Sequence, residues 1–76
     1  MQFYTDEEIG LIIRIHRQKH NLTQRQLGDI IGVQPAAVNK WESGRVKNIK
    51  RSILQQLSVT LHISPTVLIG IKEEED

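Results

Sequence analysis

The stretch Gln24–Gly44, QRQLGDIIGVQPAAVNKWESG, constrains the fold of this 76-residue chain more than any other. Its apolar positions, Leu27, Ile31, Val33, Val38 and Trp41, are spaced for two short helices crossing at a tight turn. Gly28 stands where the first helix needs a minimal side chain, because the second crosses there at close range. Gly32 stands just past the first helix, where positive φ is common and glycine adopts it without steric cost. This register leaves Pro35, Ala36, Asn39, Lys40 and Ser43 on the outer face of the second helix. Small and polar groups flanked by cations suit the major groove of DNA.

The pattern resembles the helix-turn-helix of the lambda-repressor-like family, of Cro/CI or XRE type. The likeness extends through IRIHRQKHNLTQRQLGDIIGVQPAAVNKWESG and on to ILQQLSVTLHISPTVLIG, covering about residues 9–70. The resemblance implies an all-α, compact five-helix domain that binds double-stranded operator DNA, usually as a homodimer. It also implies a structural ion pair between Arg17 and Glu42, linking the first helix to the end of the third.

Capping signals divide the chain into helices that fit this expectation. Thr5-x-x-Glu8 is a capping box opening helix 1, which should run to about His20 and close at Asn21 in left-handed geometry. Thr23-x-x-Gln26 is a second box opening helix 2. Pro35 suits the first turn of helix 3, where its missing N–H is harmless, and Gly44 ends that helix. Asn48 or Ser52 should start helix 4, with Leu54, Leu57 and Leu61 facing the core. Ser64-Pro65 opens a short helix 5 that ends at Gly70. The expected organisation is a binding domain over residues 1–70 and an acidic tail over 71–76.

The formal net charge of +1 hides an uneven distribution. Acids cluster at residues 6–8 and 73–76, whereas between Ile9 and Ile71 nine Lys/Arg face only Asp29 and Glu42, a net of +7. Lys40, Arg45, Lys47, Lys50 and Arg51 fall within twelve residues. A cationic strip beside a groove-sized helix is the footprint of phosphate binding.

By the resemblance, Gln24, Arg25, Ser43, Arg45, Lys47, Asn48 and Lys50 contact phosphates, with Arg51 a further cation on the same loop. Gln34, Pro35, Ala36, Asn39 and Lys40 face the bases. Gln34 replaces the usual Ser or Thr cap; its amide, like that of Asn39, matches adenine, and Lys40 matches guanine or a phosphate. Pro35 and Ala36 offer only apolar contact to thymine methyls. With few bidentate readers, groove shape should contribute to specificity.

Other chemistries find little support. His16 and His20 have the i, i+4 spacing of a zinc helix, but Arg17 stands where a metalloprotease needs its glutamate, and no third ligand is evident. The expectation is no catalytic residue, no metal and no cofactor. With no cysteine, an acidic N-terminus and no long apolar run, a cytoplasmic, nucleoid-associated location is expected, with no membrane contact. The Asn21-Leu22-Thr23 sequon is then without consequence.

Two features leave a second class of function open. Helix 1 carries Ile12 and Ile15 beyond what one buried face needs: Phe3 or Tyr4 covers them, they are ordinary exposed residues, or they grip a partner. Val67, Ile69 and Ile71 raise the same question near the C-terminus. The alternative is a modulator, antirepressor or antitoxin acting through a partner repressor or toxin. The acidic tail either solubilises the chain or competes with DNA for the basic face.

Overall fold

The computed structural model describes residues 2–73. Five helices follow one another: α1 (Asp6–Lys19), α2 (Gln24–Ile31), α3 (Pro35–Glu42), α4 (Arg51–Leu61) and α5 (Pro65–Leu68). Ile13, Leu27, Val38, Leu57 and Leu61 are fully buried, so α1 to α4 each contribute to one aliphatic core, with Trp41 and Leu68 beside it.

Both capping boxes form as the sequence predicts. Thr5 Oγ1 accepts from the Glu8 N–H at 3.1 Å while Glu8 accepts from the Thr5 N–H at 2.9 Å. Thr23 and Gln26 repeat the exchange at 3.0 and 2.9 Å. Each box satisfies amides that a helix start otherwise leaves without partners. Asn21 takes φ 57° after α1, and Gly32 and Gly44 take φ near 90° after α2 and α3. The start of α4 differs from expectation. Neither Asn48 nor Ser52 caps it; Lys50 occupies the cap position without a side-chain bond. Asn48 instead turns the preceding loop at φ 67°.

Close backbone approaches hold α3 in place. A Cβ on Gly28 would lie 2.7 Å from the Val33 carbonyl oxygen, so the tight contact is with the turn rather than with the body of α3. Gly10 has the same role on α1, which sequence reasoning missed: its Cβ would lie 2.5 Å from the Trp41 carbonyl oxygen and 2.9 Å from that of Glu42. A glycine inside the apolar run IGLII of an otherwise polar helix is the available signal.

The first and last described segments also meet. Phe3 pairs with Ile71 in an isolated antiparallel bridge, Tyr4 N–H donates to the Gly70 carbonyl at 2.7 Å, and Lys72 N–H donates to that of Gln2 at 3.0 Å. The Lys72 ammonium lies 5.3 Å above the Tyr4 ring. The Glu73 carboxylate accepts from Ser64 and from Thr66, the latter at 2.7 Å. Residues 71–73 thus pack onto the domain, and the rest of the expected acidic tail lies outside the described residues. Phe3 does not cover helix 1, being 65% exposed, whereas Tyr4 packs against the core.

Two measurements test this packing. Gly10→Ala should lower stability by about 1–3 kcal/mol, because overpacking against fixed carbonyls outweighs the helix-propensity gain; unchanged denaturant midpoints would contradict the contact. The hydroxyls of Ser64 and then Thr66 hold the Glu73 carboxyl below its ordinary value. The stabilisation is therefore present above the ordinary carboxylate range and lost as pH falls through the lowered value. Ser64→Ala with Thr66→Val should return the Glu73 titration, followed by NMR, to the ordinary value; an unmoved titration would contradict the assignment.

Candidate nucleic-acid interface

The interface is built on a buried ion pair. Arg17 projects from the inner side of α1 and is 9% exposed. Its Nε donates to Glu42 Oε2 at 2.6 Å and its Nη2 to Glu42 Oε1 at 2.9 Å, a two-pronged arrangement that fixes orientation as well as distance. Nη1 donates to the Leu22 carbonyl at 2.7 Å. That carbonyl is in position because Leu22 N–H closes the α1 terminus onto the Arg17 carbonyl at 3.2 Å. The bond to Glu42 holds the guanidinium above its ordinary value, against the opposing effect of burial. Gln24 Nε2 adds a third donor to Glu42 Oε1 at 3.3 Å. One carboxylate at the end of α3 thereby ties together α1, the start of α2 and α3.

What this scaffold presents is the outer side of α3. Gln34, Ala36, Asn39 and Lys40 are exposed, and Pro35 is half-buried in the first helical turn. Gln34 makes no side-chain cap bond, which leaves its amide uncommitted. Val38 and Trp41 turn inward from the same helix.

The following loop continues the surface. Arg45, Lys47, Asn48, Lys50 and Arg51 are all exposed. Its entry is set by Gly44 N–H on the Trp41 carbonyl at 3.0 Å and Arg45 N–H on the Lys40 carbonyl at 3.1 Å. A shallow groove of about 270 Å³ runs beside α3, floored by Val33, Ala37, Trp41 and Ile53 and rimmed by Lys40, Arg45, Lys47 and Lys50. Asp6 lines the adjoining cleft with Lys40, Arg45 and Lys47, an acidic neighbour the sequence pattern did not reveal.

Two of the expected phosphate contacts are partly engaged. Ser43 Oγ donates to the Asn39 carbonyl at 2.7 Å, so its proton is spent within α3 unless the side chain rotates. Gln24 spends one amide hydrogen on Glu42 and keeps the other. Arg25 is exposed on α2.

The histidines are occupied elsewhere. His16 Nδ1 lies 2.8 Å from the Ile12 carbonyl oxygen, and His20 Nε2 lies 3.2 Å from that of Leu61. His20 also stacks on His62 with ring centroids 5.3 Å apart, joining the ends of α1 and α4. Among the described residues no group of three or more His, Cys, Asp or Glu is placed to hold a metal, and no helix is long and apolar enough to cross a membrane.

Comparison with known proteins places this geometry. A helix-turn-helix family model matches residues 13–68, and the chain belongs to that family, in its lambda-repressor-like, XRE/Cro branch. It is 38% identical over 61 residues to an uncharacterized HTH-type transcriptional regulator, y4wC, of Sinorhizobium fredii; the match spans 80% of this chain and 42% of that protein. Among solved structures it resembles the P22 c2 repressor protein in complex with synthetic operator 9T, at TM-score 0.71 and 33% identity over 79% of this chain and 89% of that one. A hydroxypropylphosphonic acid epoxidase from S. wedmorenis shares the fold alone, at TM-score 0.75 and 19% identity over 84% of this chain and 34% of that one. One scaffold thus occurs in proteins of unlike activity, so function must be argued from the exposed site.

Breaking the ion pair should be costly. Arg17→Ala leaves the Glu42 carboxylate, whose side chain is 4% exposed, without its partner, and should lower stability by about 3–5 kcal/mol. Chemical denaturation reads this directly, and a loss well under 1 kcal/mol would contradict the pair's structural role.

Proposed function

We propose that this chain is a sequence-specific DNA-binding transcriptional regulator that lays α3 in the major groove of operator DNA. The observation that carries the reading is the exposed outer side of α3, rigidly mounted by Arg17 and Glu42 and continuous with the cationic loop. In this reading Gln34, Asn39 and Lys40 reach base edges, while Pro35 and Ala36 meet thymine methyls. Gln24, Arg25, Arg45, Lys47, Asn48 and Lys50 position the domain on phosphates, with Arg51 beside them. Ser43 joins them only after its hydroxyl rotates. Likeness to an operator-bound repressor supports the reading.

A homodimer follows from the same logic, since a two-fold pair presents two α3 helices to successive major grooves about 34–36 Å apart. The sequence from Ser52 to Ile71 contains no Lys, Arg, Asp or Glu. Val59 and Ile69 are 75% and 61% exposed on it. Two copies can approach there without like-charge repulsion, which suits an α4–α5 dimer surface.

Selection of bound sequences from a random duplex pool, followed by gel shifts with the purified chain, tests the proposal. A discrete enriched site bound by the chain alone is expected. Binding that needs a second protein would favour the antirepressor or antitoxin class, and no enrichment would refute sequence-specific recognition. Lys40→Ala should weaken operator binding by about 1–3 kcal/mol with little effect on random DNA if Lys40 reads a base; equal losses would make it a phosphate contact. Neutralising Lys47 and Lys50 should flatten the salt dependence by roughly one unit of slope each, and an unchanged slope would remove them from the interface.

A further inference from the structure

The outer face of α1 carries an apolar stripe that the fold leaves uncovered. Leu11 is 53% and Ile15 40% exposed, and Ile12, half-buried because it also packs against the core, adjoins them. Glu8 and Lys19, both exposed, lie at the two ends of this stripe. The spacing 8, 11/12, 15, 19 keeps these residues on one side of a helix. Gly10 and Arg17, which face α3, lie on the other side. Among the described residues the one ion pair is Arg17–Glu42; Glu8 and Lys19 make none, although Lys72 acts on the Glu8 carboxylate through space. Glu8 uses Oε1 to cap Thr5.

The charge order along the stripe identifies what fits it. Of the charges that open and close α1, Glu8 and Lys19 lie on this side, an acid at its N-terminal end and a base at its C-terminal end. An antiparallel copy of the same helix brings Glu8 of each chain opposite Lys19 of the other, at both ends of an apolar centre made by Ile12 and Ile15. Glu8 and Lys19 are about 16 Å apart along the axis at ~1.5 Å per residue, so both pairs close in one register. Antiparallel helices also set their dipoles in opposition. We infer that the outer face of α1 is a self-association surface, occupied by a second copy of this chain in antiparallel register. One helix face makes a contact at the low end of protein–protein interfaces, below about 1,200 Å² in total, so the pairing is weak and concentration-dependent. Because the surface is turned away from α3, paired copies leave both α3 helices uncovered and facing outward. On the DNA-binding reading above, one such pair holds two duplex segments together.

Sedimentation equilibrium of the full chain without DNA tests the pairing separately from that reading. Glu8→Lys alone and Lys19→Glu alone should each weaken association, by roughly fivefold, whereas an equimolar mixture of the two variants should restore it. The mixture responds to this register and is blind to the α4–α5 surface. Ile15→Glu, at an exposed position, should abolish the pairing and serves as the test if Glu8→Lys loses its capped first turn by circular dichroism. A mixture no tighter than either variant, or association unmoved by Ile15→Glu, would overturn the inference. Bridging of an immobilised and a labelled duplex should be lost in Ile15→Glu while binding to a single duplex persists. Failure of the unmodified chain to bind one duplex counts against the DNA-binding reading and leaves the sedimentation result standing.

Discussion

The exposed outer side of α3 depends on a single carboxylate. Glu42 ends α3, and its two oxygens take three donors, two from Arg17 on α1 and one from Gln24 at the start of α2. A short helix of eight residues has little independent stability; its orientation comes from what grips it. Here the grip at its C-terminal end is both electrostatic and steric, because Gly10 lets α1 approach the Trp41 and Glu42 carbonyls. Burial makes the pair demanding, since either charge alone is poorly solvated. The gain is a fixed geometry rather than a large net stabilisation.

Much of this was legible because it is local. Capping boxes at Thr5 and Thr23, the proline at the start of α3 and the glycines after α2 and α3 act within four residues, and each forms as read. The Arg17–Glu42 contact spans 25 residues and was reached only through resemblance; no spacing rule predicts it. What the sequence hid is likewise non-local. The Phe3–Ile71 bridge and the Ser64–Thr66–Glu73 cluster join distant segments, and Asp6 enters the basic cleft only because α1 packs beside α3. The start of α4 was misplaced for a different reason. Asn48 looks like a cap but takes positive φ in the loop, and Lys50 fills the position without a capping side chain.

Charge is distributed by surface rather than by segment. Cations gather from Lys40 to Arg51, on α3, the loop after it and the first residue of α4, while α4 and α5 are uncharged beyond Arg51. Net charge near zero is therefore a poor guide to the field felt by a polyanion, which meets the basic side alone. In the proposed reading each face then has its own partner chemistry: phosphate for the α3 side, neutral contact for α4–α5, and opposite charges at the two ends of α1.

The most direct measurement is an NMR titration of the labelled chain with its selected operator and with random duplex. Operator, beyond random DNA, should shift the resonances of Gln34, Ala36, Asn39 and Lys40, while both duplexes should perturb Arg45 to Arg51. Operator-specific shifts confined to α4, α5 or the outer side of α1, with α3 silent, would contradict recognition by α3.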